Sequence, residues 1–407
     1  MYGREAVSRL RRGWTPRLRE QYSCCVQMRR ARVTTVASGV VALGAVPVFL
    51  TGAMGVQIRA EFGLGPAGFG IMLSAFHVSS ALASPALGRV AERRPAMSMR
   101  WAVILTLVSL SGIALGGRSP VLYAGFLIGT GLGFALAQTS TNLFITRTVP
   151  AGNRATVLGI KHAAIPLAAL LAGLAVPTVA VTIGWRWAFA IAAGGATLLW
   201  ARLPKSFKGF SKPPERDGGG SPPKELVVLV LATSLAMAGG SALSAFLVSF
   251  AVATGIGAAT AGLLLAAGGA SAIAMRVMWG WLADRRSTRG YVGIVWLLTV
   301  GSVGYLLLTT AQPTLVLVGA MTSFGGVSGW SGLLAHAVVD RNQKDPARAT
   351  GVTQVGFYVG GGIGPPLFGL LIDQFSYRFA WVTAAGFVLV AAGLVLAVEL
   401  SSRAKQT

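Results

Sequence analysis

The chain has 407 residues, of which 54% are apolar and only 12% are Asp, Glu, Lys or Arg, about half the charged share of a soluble domain. That composition excludes an ordinary water-soluble fold, and the 54 glycines point the same way, since Gly is commoner in membrane helices than in soluble ones. The excess of 35 basic over 12 acidic residues would suggest nucleic acid if it clustered on a folded polar domain, but it falls in short segments between apolar runs.

Residues 1–33 are basic and polar with no apolar core, so they read as a disordered cytoplasmic arm touching anionic lipid rather than a cleaved signal. Cys24 and Cys25 are adjacent and precede the first apolar run, which offers neither a disulfide framework nor a spaced metal site. From there, stretches with few or no charges are long enough to cross a bilayer. Two of them, 226–275 and 290–339, are twice too long for one helix and break at Thr254-Gly255-Ile256-Gly257 and at Gln312-Pro313. Twelve helices are therefore predicted, near 34–58, 67–88, 99–117, 120–145, 153–180, 186–202, 226–253, 258–283, 291–310, 314–339, 349–372 and 379–399. The Pro- and Gly-rich segment 203–225 reads as a cytoplasmic linker between an N-terminal bundle (34–202) and a C-terminal bundle (226–400), followed by a tail at 401–407.

With the first residue inside, 29 basic residues fall in cytoplasmic segments and only Arg59, Arg118, Arg186 and Arg378 outside, so both termini are expected in the cytoplasm. The two halves also repeat. Gly88-Arg-Val-Ala-Glu92-Arg93-Arg94 recurs 192 residues on as Gly280-Trp-Leu-Ala-Asp284-Arg285-Arg286. Arg154-Ala-Thr recurs as Arg348-Ala-Thr, and Gly184-Trp185-Arg186 recurs loosely as Ser376-Tyr377-Arg378. Such an order at nearly one spacing defines two parallel six-helix halves.

With these features the chain resembles the major facilitator superfamily over essentially all of 34–400. The resemblance implies an all-α membrane protein of two pseudo-symmetric six-helix bundles, and a secondary active transporter rather than an enzyme. The family's loop signature is matched by Gly280, Asp284, Arg285 and Arg289, and in a degraded copy by Gly88, Glu92 and Arg93. An acid at a helix end beside basic residues can hold one bundle against the other and release it, so these seven residues are the expected cytoplasmic gate.

All the acids lie at helix ends or in loops, whereas two cations are embedded. Lys161 is ~12 Å past Arg154 and Arg276 ~12 Å before Asp284 at the helical rise. An ionisable group at the bilayer centre costs at least ~2.5 kcal/mol and so needs a cavity and a partner. With no carboxylate at that depth, the expected partner is a small anionic substrate, held between one cation from each half. Arg276-Val-Met-Trp-Gly280 is moreover similar to the helix 8 pattern of monocarboxylate and oxalate/formate transporters, which implies a substrate carboxylate on Arg276. His77 at mid-depth is a candidate proton site. Gln138, Asn142, Gln354 and Tyr358 are further candidates to line the cavity.

The expectation is thus a carrier of a small organic anion, a monocarboxylate above all, working by alternating access through anion exchange or proton coupling. The alternative is a proton-coupled drug or metabolite exporter of the same superfamily. No cofactor, metal or nucleic acid is expected; the partners are the substrate, protons and the lipid of the cytoplasmic membrane, and the chain is expected to be a monomer.

Overall fold

The computed structural model describes residues 16–149, 151–203, 224–286, 291–342 and 346–404. The first predicted span is two helices, α1 (Pro16–Ala53) and α2 (Gly55–Phe62). The helix begins at Pro16, so residues 16–33 continue it instead of forming the disordered arm expected from their charge. No Gly or Pro occurs between Pro16 and Gly39, and Pro at the first helical position lacks only an amide that would be unpaired anyway. At Met54 the chain bends without stopping, since its amide still bonds the Leu50 carbonyl at 2.8 Å and the Ile58 amide bonds the Met54 carbonyl at 2.9 Å. The helix ends at Gly63, whose φ of 62° lies in the left-handed region that Gly enters cheaply. Arg59 and Glu61 are therefore helical, where the sequence suggested a loop.

The N-terminal half continues with α3 (Pro66–Arg93), α4 (Pro95–Gly116), α5 (Pro120–Thr148), α6 (Ala151–Ala175) and α7 (Trp185–Arg202). Pro66, Pro95 and Pro120 each open their helix, and the Ser119 hydroxyl caps α5 by accepting the Leu122 amide at 3.2 Å. A π-helical turn, Val176–Ala180, follows α6 and contains Pro177. The C-terminal half holds α8 (Lys224–Ala253), α9 (Ala258–Arg286), α10 (Val292–Leu308), α11 (Pro313–Arg341), α12 (Pro346–Gln374) and α13 (Tyr377–Ala404). Both predicted breaks are turns: α8 and α9 are separated at Gly255, with φ 89°, and α10 and α11 just before Pro313, where Ala311 has a φ of 56°.

The repeat read from sequence is visible as repeated packing. In the N-terminal half α1 packs on α6, α3 on α5, α4 on α5 and α4 on α7. Their counterparts α8 on α12, α9 on α11, α10 on α11 and α10 on α13 do the same. The halves meet through two equivalent pairs, α3 with α12 and α6 with α9, and through α1 with α8. Glycines let these pairs approach to backbone distance. A Cβ on Gly269 of α9 would stand 2.6 Å from the Leu170 amide and 2.9 Å from the Pro166 carbonyl oxygen on α6, and one on Gly369 of α12 would press on the Pro66 carbonyl of α3.

Nine helices among the described residues are long and apolar enough to cross a membrane. Trp101, Ile191, Trp296 and Leu389 are exposed on their outer faces, an inverted arrangement for water but an ordinary one for lipid. The twelve-helix, two-bundle architecture expected from the sequence is the one observed. The start of α1 and the end of α13 lie on one side, called here the terminal side, and the turns α2–α3, α8–α9 and α12–α13 on the far side.

Candidate transport site

Lys161 on α6 has 0% of its surface exposed. Its ammonium donates to Gln138 Oε1 at 2.8 Å and to Asn142 Oδ1 at 2.6 Å. Gln138 and Asn142 are four residues apart, so both project from one face of α5 and their amide oxygens converge on the same cation. The third ammonium N–H has no partner among the described residues. Sequence reasoning singled out all three residues without seeing that the two amides serve the lysine.

Arg276 on α9 is solvated by carbonyls. Its Nε donates to the Ser328 carbonyl on α11 at 2.8 Å, and Nη1 donates to the His162 carbonyl on α6. The first contact is within the C-terminal half and the second crosses to the other half, one residue along from Lys161. The two embedded cations thus sit at one cross-half helix pair, α6 with α9, and no carboxylate among the described residues touches either. No N–H of Nη2 is engaged by a described residue.

The other candidates lie at the equivalent pair, α3 with α12. His77 on α3 abuts Gly361 on α12, where an added Cβ would stand 2.9 Å from its Cε1. Tyr358 on α12 faces Ser84 on α3, whose hydroxyl donates to the Ser80 carbonyl at 2.6 Å. Gln354, one turn before Tyr358, is half-buried. The structure therefore brings Lys161, Gln138 and Asn142 together, sets Arg276 apart from them on main-chain carbonyls at the α6–α9 contact, and places His77 and Tyr358 at the matching seam.

Of the expected gate, Gly88, Glu92 and Arg93 close α3 at the terminal side, Glu92 half-buried and Arg93 exposed. A Cβ on Gly88 would meet only the Thr139 methyl, at 4.0 Å, so this end of α3 is loosely packed. Gly280, Asp284 and Arg285 belong to α9, but their side-chain surroundings, and Arg289 altogether, lie outside the described residues.

The polar contacts on the far side escaped the sequence reading. Asp373, at the end of α12, accepts the Ala67 amide of α3 at 2.7 Å and so caps a helix of the opposite half. Arg59 of α2 reaches the Tyr377 hydroxyl of α13 at 3.5 Å. Within the N-terminal half, Glu61 accepts two bonds from Arg186, at 2.7 and 2.6 Å, and one from Trp185 Nε1 at 3.1 Å. The Arg186 bonds hold its carboxyl below the usual value of 4.5. On the terminal side Glu399, 3% exposed, accepts from Arg341, from Arg403 Nε at 2.9 Å and from the Tyr291 amide at 3.1 Å, tying α10, α11 and α13 together. Among the described residues no three His, Cys, Asp or Glu side chains group as a metal site.

The chain resembles solved transporters in fold. It superposes on the xylose transporter of E. coli in an inward open conformation with a TM-score of 0.73 at 15% identity, over 90% of this chain and 95% of that one. A D-xylose-proton symporter gives 0.71 at 16% identity, over 89% and 96%. A bacterial homologue of the human lysosomal transporter Spinster, inward-facing and occupied, gives 0.68 at 16% identity, over 91% and 96%. Among curated sequences it is similar to monocarboxylate transporter 12 of Homo sapiens, 28% identical over 176 residues, or 42% of this chain and 34% of that protein. The Mus musculus protein of the same name is 28% identical over 188 residues, 45% of this chain and 39% of that one. The chain thus spans between a third and two fifths of the length of these relatives. The model of the Major Facilitator Superfamily matches each half in turn, residues 36–229 and 229–406, and with the duplicated twelve-helix fold this makes the chain a member of that superfamily and a multi-pass membrane protein.

Proposed function

We propose that this transporter carries a small organic anion, a monocarboxylate in the first instance, across the cytoplasmic membrane. The observation that carries this reading is the pair of embedded cations, Lys161 and Arg276, one from each half, whose only described partners are neutral oxygens. Burying a cation costs several kcal/mol, roughly, unless it is compensated, and neutral dipoles compensate it only in part. A carboxylate fits the remaining need, since a guanidinium forks onto it and an ammonium attracts it as a point charge. The similarity to monocarboxylate transporter 12 supports the same substrate class.

In the proposed cycle the terminal side faces the cytoplasm. The far side is sealed by Asp373 on Ala67 and Arg59 on Tyr377, which fits a carrier facing inward. Glu92 and Asp284, with Arg93, Arg285 and Arg289, close the terminal side in the opposite state. Moving empty, the carrier takes two uncompensated charges with it; loaded, it does not. Exchange of one anion for another, or loss of a proton from Lys161 or His77, makes the return possible.

The test is uptake of radiolabelled lactate into proteoliposomes, with and without unlabelled lactate inside. Saturable uptake stimulated by internal lactate or by an inward proton gradient is expected. If lactate, acetate and pyruvate neither enter nor raise the melting temperature while amphipathic cations do, the carrier is instead a drug exporter.

A further inference from the structure

Arg276 finds an acceptor on the opposite half because of a proline. In an α-helix the carbonyl of His162 would accept the amide of residue 166, but residue 166 is proline and has none. The oxygen is left without its i+4 donor inside an apolar helix, and the guanidinium of Arg276 fills the gap from α9. The approach it needs is built in, since α6 and α9 touch at backbone distance where Gly269 meets Leu170 and Pro166, and again where Gly262 meets the Gly173 carbonyl. That second carbonyl has also lost its donor, to Pro177.

We propose that Pro166 is a positioning residue. By freeing the His162 carbonyl it supplies the acceptor that parks Arg276 across the two halves when no substrate is bound, and a substrate carboxylate competes with that carbonyl for the same guanidinium. This rests on the anion reading above. Parking keeps the embedded charge solvated in the empty carrier and fastens α6 to α9. Binding releases the fastener, so that occupancy and movement of the halves are coupled through one side chain.

Pro166→Ala restores an amide at position 166 and returns the His162 carbonyl to its own helix. The variant is expected to bind lactate about tenfold more tightly, as a competing charge-assisted bond is removed. Its maximal exchange rate should fall, a KM-against-kcat split that mere loosening of the fold would not give. Without any ligand, a spin-label pair on α6 and α9 should report a broader distance distribution than in the parent. Pro166→Gly, which restores the same amide, serves if the alanine variant does not assemble. An unchanged distance distribution and unchanged lactate affinity in a carrier that does bind lactate would overturn the proposal while leaving the anion reading intact. A broadened distribution in a protein that binds no carboxylate would instead uphold the fastener and remove the anion reading.

Discussion

Lys161 and Arg276 lie on the two helices of one contact between the halves, α6 with α9, yet they are satisfied in opposite ways. The lysine is held wholly by its own half, between two amides of α5. The arginine divides its bonds between its own half and the other. A compact ammonium can be enclosed by two converging amides, whereas a guanidinium presents donors on several edges and can bridge two elements at once. The difference assigns the two cations different work: Lys161 belongs to the charge content of one bundle, and Arg276 to the contact between bundles. Only the second has a hydrogen-bond partner in the opposite half.

The largest effect should come from breaking the bridging cation. Arg276→Lys keeps the charge but loses the fork, and lactate affinity is expected to fall on the order of 100-fold, read by equilibrium binding to the purified protein. A lysine variant that binds like the parent would erase the contrast between the two sites. Lys161→Gln removes the charge while keeping an amide donor for Gln138 and Asn142. Binding should stay within a few fold of the parent, and the dependence of uptake on internal anion should weaken; a loss as large as that of Arg276→Lys would make both cations direct ligands of equal weight.

A smaller effect is expected at the far side. Asp373→Ala removes a carboxylate cap from α3, worth about 1 kcal/mol, and should favour opening there by roughly fivefold. The readout is labelling of a Ser249→Cys probe by an impermeant thiol reagent, with Cys24 and Cys25 changed to Ser, since Ser249 is buried against Gly55 of the opposite half. Unaltered labelling would show that the cap is not part of the seal.

The smallest effect belongs to Glu61. Its carboxyl is held below 4.5 in the folded protein, chiefly by the Arg186 bonds, so the ionised form is the one that folding favours. The stabilisation is fully present above the unfolded value and is lost as pH falls through the lower folded one. Thermal denaturation of Glu61→Gln should therefore lose part of the acid sensitivity of the parent below about pH 4.5 and differ little in slope at neutral pH.

The two-bundle architecture was legible because its determinants are local: uncharged length, Gly and Pro at turns, and basic residues at one side. The repeat was legible from three matched segments in one order, the first beginning at Gly88 and Gly280, and the packing repeats with it. The membrane-embedded Lys161 and Arg276 stood out because a charge in an apolar run is conspicuous. What they bond to was not legible, since the partners are two amides that sequence spacing relates only to each other, and a main-chain oxygen that has no letter of its own. Pro166, four residues after His162, was the available signal. Asp373 was invisible for a different reason: an acid at a helix end looks like an ordinary loop residue until the fold brings α3 beneath it. The helix through 16–33 was missed because charge was weighed above the absence of any helix breaker.

Gly70 and Gly369 place the backbones of α3 and α12 against each other at the far side, with no room for a methyl group at either position. A wall made of main chain has no side chain that can swing aside alone, so it opens only when whole helices part. Its consequence is electrical. On the anion reading proposed above, a wall of main chain along this seam is what would keep small ions from leaking past the two embedded cations. Alanine at position 70 would prop the helices apart by the width of that methyl group, and ions are expected to leak along the seam.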